Sequence, residues 1–286
     1  MAEPQYPKGT LYLVATPIGN LEDISLRALR VLKEADLIAC EDTRHTARLL
    51  RHFGIKTPSE SLHEHNEAQR SRHILALLKA GKRIALVSDA GTPLISDPGY
   101  VLVSACRAAS IPVVPVPGAS AAITALTASG LPTDRFFFGG FLPHKRSARR
   151  RILQEAALVS ATLVFYEAPH RLLASLEDMI ETFGDRRACL ARELTKIHEE
   201  LLSGSLSQIL EAMKSRPQLR GEITLVVDRG GPAAAPGLTE WPASVTAHLE
   251  QEMRESGASQ KDALKTVARR RGISRREAYQ QLLREK

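Results

Sequence analysis

The chain has 286 residues, 43% hydrophobic and 25% charged, the balance of a folded protein that is long for one domain and short for three. A net charge of +7 favours a polyanionic partner. No run approaches the roughly 18 apolar residues of a membrane span and no charged-then-apolar leader opens the chain, which predicts a soluble, cytoplasmic protein without a membrane partner.

Residues 10–130 alternate short apolar runs with helical patterns. Leu11–Ala15 reads as a strand that ends in Thr16-Pro17-Ile18-Gly19-Asn20, and a helix from Ser25 to about Glu34 leads to a second strand, Asp36–Cys40. After Glu41-Asp42-Thr43-Arg44-His45, a helix through Leu49 and Leu50 stops at Gly54. Asn66 with Gln69 three residues on predicts a capped helix, ended by Gly81. Ile84–Val87 is apolar throughout, as in a strand buried on both faces, and Asp97-Pro98 predicts the next helix start. Val113–Val116 is the following strand, and Gly118-Ala119-Ser120 leads into a small-residue helix ending at Gly130. This alternation predicts a mostly parallel sheet covered by helices.

The second half offers strands at Phe136–Phe138, Leu163–Tyr166, Cys189–Arg192 and Ile223–Val227, with helices near 148–159, 170–182 and 206–215, the pattern of a second α/β domain with a mixed sheet. Gly230 to Gly237 has linker composition, a polar helix follows over Pro242–Glu255, and residues 260–284 carry two helices broken at Gly272-Ile273-Ser274. The expected division is 1–118 and 119–230 as two α/β domains, 231–240 as linker and 241–286 as a basic helical domain.

The dinucleotide GxGxxG, the GxxxxGK[ST] loop, HExxH and GxSxG are all missing, which removes the usual anchors of oxidoreductases, P-loop enzymes, zincins and α/β-hydrolases. Cys40, Cys106 and Cys189 are far apart and read as reduced, buried thiols. His63 and His65 lack further clustered ligands, so no metal is expected. Instead, five polar Gly/Pro-rich turns follow strand candidates: TPIGN (16–20), CEDTRHT (40–46), LHEHNE (62–67), SDAGTPLISDPG (88–99) and PVPGASAA (115–122). In an open parallel sheet such turns gather at the carboxyl edge, where ligands bind. SDAGTPLISDPG is the most informative, because its glycines and prolines predict a rigid, backbone-rich cradle.

These turns, in order with FYEAPHR (165–171), ARELTKIHEE (191–200) and GEITLVV (221–227), resemble the ribosomal RNA ribose methyltransferases of the tetrapyrrole-methylase superfamily. The resemblance covers about residues 9–230. It implies two α/β domains with S-adenosylmethionine in the cleft between them, a homodimer, and methyl transfer to the 2′-hydroxyl of a cytidine in 16S ribosomal RNA of the 30S subunit. It places the donor against Ser88, Asp89, Ala90, Gly91, Thr92, Ser120, Ala121, Tyr166, Glu167, Glu222 and Thr224. A ribose hydroxyl is a poor nucleophile, so a base or cation should assist it. The candidates are Asp42, Glu41, Arg44, His63, Glu193 and Lys196, and helix capping is the competing role for Asp42.

Two basic segments are candidates for RNA contact. Lys145, Arg146, Arg149 and Arg150 belong to a run at a helix start, and Arg269, Arg270, Arg271, Arg275 and Arg276 lie in a helix-turn-helix-like tail. From Ser259 onward nine Lys or Arg stand against three Asp or Glu, an excess of six. Two rivals remain: a small-molecule methyltransferase of the same superfamily, acting on a tetrapyrrole for example, and a non-enzymatic RNA-binding assembly factor.

Overall fold

The computed structural model describes residues 7–230, 244–271 and 273–285, apart from the side chains of Glu255, Arg269 and Arg270. By its internal contacts the chain divides into two compact units, Met1–Gly230 and Gly231–Lys286.

In the first unit the chain runs through β1 (Leu11–Val14), α1 (Leu26–Glu34), β2 (Leu37–Cys40), α2 (Thr43–His52), β3 (Ser59–Ser61), α3 (Glu67–Lys79), β4 (Ile84–Val87), α4 (Tyr100–Ala108) and β5 (Val113–Val116). The five strands form one parallel sheet in the order β3-β2-β4-β1-β5. Successive side chains alternate between its faces. Ala85 and Val87 join Val31, Leu32 and Leu50 from α1 and α2, whereas Ile84 and Leu86 join Ile74, Leu78 and Leu102 from α3 and α4. Both faces are therefore covered, which is why β4 is apolar at every position.

The chain continues through α5 (Ala121–Ala128), β6 (Phe136–Phe141), α6 (Arg146–Ala157), β7 (Thr162–Glu167), α7 (Leu172–Phe183), β8 (Arg187–Arg192), β9 (Glu200–Ser205), α8 (Leu206–Lys214) and β10 (Ile223–Val227). The second sheet is mixed, in the order β6-β7-β10-β8-β9, with only β6 and β7 parallel. Helices α6, α7 and α8 cover one face around Phe165 and Leu225. The other face packs Val164, Cys189 and Val226 against Ala122 and Ala125 of α5 and against Ile18, a residue that follows β1, so this core joins the two sheets.

The elements differ from the sequence reading in two instructive ways. Strands β3 and β9 have no counterpart in that reading; both are edge strands, and neither SES nor ELLSGS carries the apolar run of a covered strand. Helix α3 starts directly after Asn66 as expected, but the capping expected of Asn66 and Asp97 differs. Asn66 precedes α3 but makes no capping bond with its side chain, because its Oδ1 accepts from the His63 N–H instead, at 2.9 Å. Helix α4 begins at Tyr100, and its end is capped by Glu67 of α3, which accepts from the N–H groups of Gly99 and Val101 at 2.8 and 3.0 Å. Asp97 is thereby released from capping.

The second unit contains α9 (Val245–Ser256), α10 (Gln260–Arg271) and α11 (Arg275–Arg284) around Val245, Leu249, Val267 and Leu282. Ser274 and Glu277 form a reciprocal capping box at α11. Glu285 accepts from Val245 and Thr246 at the start of α9, which closes the three helices on one another. The expected linker 231–240, Pro242 and Gly272 lie outside the described residues.

Candidate active site

Strands β4, β1 and β5 are neighbours, so the turns after them meet at one carboxyl edge. Thr16 and Gly91 exchange backbone hydrogen bonds at 2.9 and 3.1 Å, and the Thr16 hydroxyl donates to the carbonyl of Ser88 at 3.0 Å. The Thr92 hydroxyl donates to the Ala119 carbonyl at 3.1 Å. The 88–92 turn is thus fastened to both neighbouring turns by groups that any parallel-sheet edge leaves free.

Facing this edge, the second sheet supplies Phe141, Tyr166, Glu167, Leu194 and the 221–224 segment, and the two sides enclose a cavity of about 330 Å³. The Tyr166 hydroxyl accepts from the Ala122 N–H at 3.2 Å, capping α5 where Ser120 makes no side-chain bond. Its ring packs edge-on against Phe138, with centroids 5.0 Å apart. Glu167 is buried and fully engaged: it accepts from Ala168 N–H and the Ser175 hydroxyl and pairs with Arg171. Its carboxylate holds the wall together and is not free to face a cation.

Of the residues expected at the donor, Asp89, Ala90, Gly91, Thr92, Ser120, Ala121, Tyr166, Glu167, Glu222 and Thr224 line the cavity. Ser88 does not; it is buried beneath the turn, bonded to Ala90 and to the carboxylate of Asp97. Sequence reasoning misses Asp97 itself, together with Ile18, Ile95, Ser96 and Gly221. The available signal is that the same informative loop carries a second Asp, which reads locally as a helix cap.

The expected catalytic group is dispersed around this cavity and none of its members lines it. Asp42 caps α2, its Oδ1 accepting from the Arg44 N–H at 2.7 Å, so its carboxylate serves the helix. The same turn reaches the cavity through the Asp42 N–H, which donates to Asp89 at 3.2 Å. Burial pushes the Glu41 carboxyl up, and the charges of Asp97 and Asp89 push it further. His63 is engaged with Asn66, at 3.1 Å from its Nδ2. Burial would raise Glu193, yet Lys196 at 2.9 Å and the Glu222 N–H hold it below its ordinary value. Lys196 also pairs with Glu222 at 3.3 Å, so the 193–196 turn braces the cavity rim.

The cavity fits the S-adenosylmethionine that the sequence resemblance implies. Gly91 has φ +90°, and a Cβ there would stand 3.2 Å from Ile18 and 3.5 Å from the Ala119 carbonyl, inside the cradle. An apolar wall with a few polar backbone and carboxylate groups matches an adenosine bearing a cationic tail.

One basic segment is corrected. Arg149 is buried, its Nε and Nη2 donating to Asp178 at 2.8 and 2.6 Å, so it is closed to a phosphate. The cause is helix packing: α6 lies on α7, whose Asp178 and Glu181 also pair with Arg146 and Arg150. Lys145 is exposed. In the tail, Arg271 donates to the Ser244 carbonyl at 2.7 Å and to His248 at 3.0 Å. The side chains of Arg269 and Arg270 lie outside the described residues. Arg275 and Arg276 line an open groove with Lys261, Tyr279 and Leu283.

Residues 10–210 match the family described as tetrapyrrole (corrin/porphyrin) methylases. A ribosomal RNA small subunit methyltransferase I of Halalkalibacterium halodurans is 49% identical over 273 residues, covering 95% of this chain and 94% of the relative. The protein of that name from Pseudomonas aeruginosa is 56% identical, covering 77% and 78%. Among solved structures, a uroporphyrin-III-C-methyltransferase from Thermus thermophilus is 27% identical with a TM-score of 0.56, covering 78% of this chain and 95% of the other. A diphthine synthase, 17% identical with a TM-score of 0.58 and coverage of 77% and 90%, shares the fold.

Proposed function

This chain belongs to the tetrapyrrole methylase family and is an S-adenosylmethionine-dependent ribosomal RNA methyltransferase, and from that premise we propose that its acceptor is the 2′-hydroxyl of a cytidine in 16S ribosomal RNA of the 30S subunit. The observation that carries the proposal is the juxtaposition at one sheet edge of a donor-sized cavity with the carboxylates of Asp89 and Asp97, next to the turn bearing Glu41 and Arg44. A hydroxyl must lose a proton as it is methylated, and a neighbouring phosphate must be held; carboxylate and guanidinium supply those two needs.

Bound S-adenosylmethionine supplies a methyl group activated by its sulfonium charge. The protein then has mainly to align oxygen, methyl carbon and sulfur. We assign the donor to the backbone and small side chains of 89–92, to Ser120 and Ala121, and to Tyr166, Glu222 and Thr224, with Ser88 and Glu167 holding their turns in place. Glu41 and Arg44 form the acceptor wall, and the Glu193–Lys196 brace fixes the 222 end. On this reading residues 1–118 carry the acceptor side and part of the donor site, 119–230 carry the rest, 231–240 link, and 241–286 dock RNA. The groove of Lys261, Arg275 and Arg276 beside the exposed Tyr279 suits a phosphate backbone with one stacked base. A homodimer would cover Phe136 and Phe137 on the edge strand β6, both of them exposed. No helix among the described residues is long and apolar enough to cross a membrane, and a ribosomal substrate argues for the cytoplasm.

The test offers the purified protein with labelled S-adenosylmethionine three acceptors: 30S particles lacking the modification, the corresponding naked 16S RNA, and uroporphyrinogen. Label in RNA of 30S particles is expected; label in the tetrapyrrole alone would move the chain to the small-molecule branch.

A further inference from the structure

We propose that Asp97 is the carboxylate that receives the proton of the acceptor hydroxyl, a role that rests on the ribose-methylating reading above. Three observations converge on it. Asp97 lines the donor cavity, unlike Asp42, Glu41 or Glu193. It has been freed from the structural duty its sequence position suggests, because Glu67 caps α4 in its place. Its Oδ2 accepts from the Ser88 hydroxyl, while Oδ1 accepts no hydrogen bond among the described residues.

Two other carboxylates at the cavity are committed elsewhere: Glu167 binds Ala168, Ser175 and Arg171, and Glu222 pairs with Lys196. Asp89 receives the Asp42 N–H through one oxygen, which ties it to the turn before α2. The backbone around Asp97 is also held in costly conformations: Leu94 and Ser96 have φ +70° and +66°, without the freedom of glycine. Such strain persists only where surrounding bonds over-determine it, and it clusters where a side chain must be aimed. The charged and titratable groups that sense Asp97 are Asp89 on its own loop, Glu41 on the facing turn and Tyr166 on the second sheet. Burial raises the Asp97 carboxyl and the Asp89 charge adds to this, against the pull of the Ser88 hydroxyl, which makes the carboxylate a stronger base than an exposed one.

The step balances. The 2′-oxygen bonds to the methyl carbon as the carbon–sulfur bond breaks, and the bonding pair stays on sulfur and cancels the sulfonium charge. The hydroxyl proton passes to Asp97 and from there to water.

Asp97→Asn keeps the shape and the bond to Ser88 but removes the base. Calorimetry should find its S-adenosylmethionine affinity within about threefold of wild type. Single-turnover transfer to 30S particles at saturating donor should slow by about 10²–10⁴-fold. The wild-type rate should fall toward acid pH as Asp97 protonates, and that limb should vanish in Asp97→Asn. Asp97→Glu should recover part of the rate. An Asp97→Asn enzyme with wild-type rate overturns the inference alone, as does a loss of donor affinity beyond tenfold, which would make Asp97 a donor ligand. A wild-type enzyme that labels no ribose overturns the ribose-methylating reading and this inference with it.

Discussion

The hydroxyl of Ser88 donates to the carboxylate of Asp97, nine residues along the same loop, and so ties the floor of the donor cavity to its rim. Ser88 also accepts from the Ala90 N–H at 3.1 Å, so one small side chain sets two walls. A hydrogen bond to a charged group contributes about 1.5–3 kcal/mol. Ser88→Ala should therefore cost about that much in denaturant unfolding and weaken S-adenosylmethionine binding by roughly tenfold, since about 1.4 kcal/mol is a factor of ten. Unchanged stability and affinity would mean that the bonds to Thr16 and Ala119 suffice to hold the turn.

Gly91 occupies a backbone conformation, φ +90°, that side chains avoid, and it faces Ile18 across the cradle. Gly91→Trp should abolish calorimetric S-adenosylmethionine binding while leaving the circular dichroism spectrum intact. Wild-type affinity in that variant would move the donor away from the 88–92 turn.

The basic segments should separate by experiment into structural and RNA-contacting residues. Leaving one member of a buried pair unpartnered costs about 3–5 kcal/mol, so Asp178→Ala should destabilise the protein by that amount through the stranded Arg149. Arg275→Glu with Arg276→Glu should leave stability and donor affinity unchanged. It should weaken 30S binding and flatten its salt dependence, by roughly 0.7–0.9 in slope for each phosphate that is no longer neutralised. An identical salt slope would remove the tail from the docking surface.

What is legible in the sequence follows the physics of covered surfaces. Strand β4 and the turns after β1, β4 and β5 can be read because a strand buried on both faces must be apolar and a turn at a sheet edge needs glycine and proline. The fate of Arg149 is illegible because Asp178 lies 29 residues away on another helix, and the capping of α4 by Glu67 spans 32 residues. The role of Asp97 is hidden for the same reason: Asp-Pro before a helix reads as a local cap, and only the distant Glu67 frees it. Local propensity is a weak prior wherever a tertiary partner can take over a bond.

Glu200 on the edge strand β9 offers a pH test of the fold. The guanidinium of Arg216, with Arg192 at 3.0 Å, holds its carboxyl down to about 2. The folded value is depressed, so the stabilisation is whole above the unfolded value near 4.5 and is lost as pH falls toward about 2. Glu200→Gln should cost on the order of 2 kcal/mol at pH 7, allowing for its partial exposure. The gap between the two proteins should close in acid. A gap that stays constant from pH 7 to pH 3 would show that the three side chains contribute packing alone.

Nucleoside analysis reads out directly whether this cleft methylates a ribose of small-subunit RNA. The protein is incubated with methyl-labelled S-adenosylmethionine and 30S particles that lack the modification, and the RNA is digested to nucleosides and resolved by mass spectrometry. Wild type should form one labelled species, 2′-O-methylcytidine, and Gly91→Trp should form none. Label on a base, or equal labelling by Gly91→Trp, would contradict ribose methylation in this cleft.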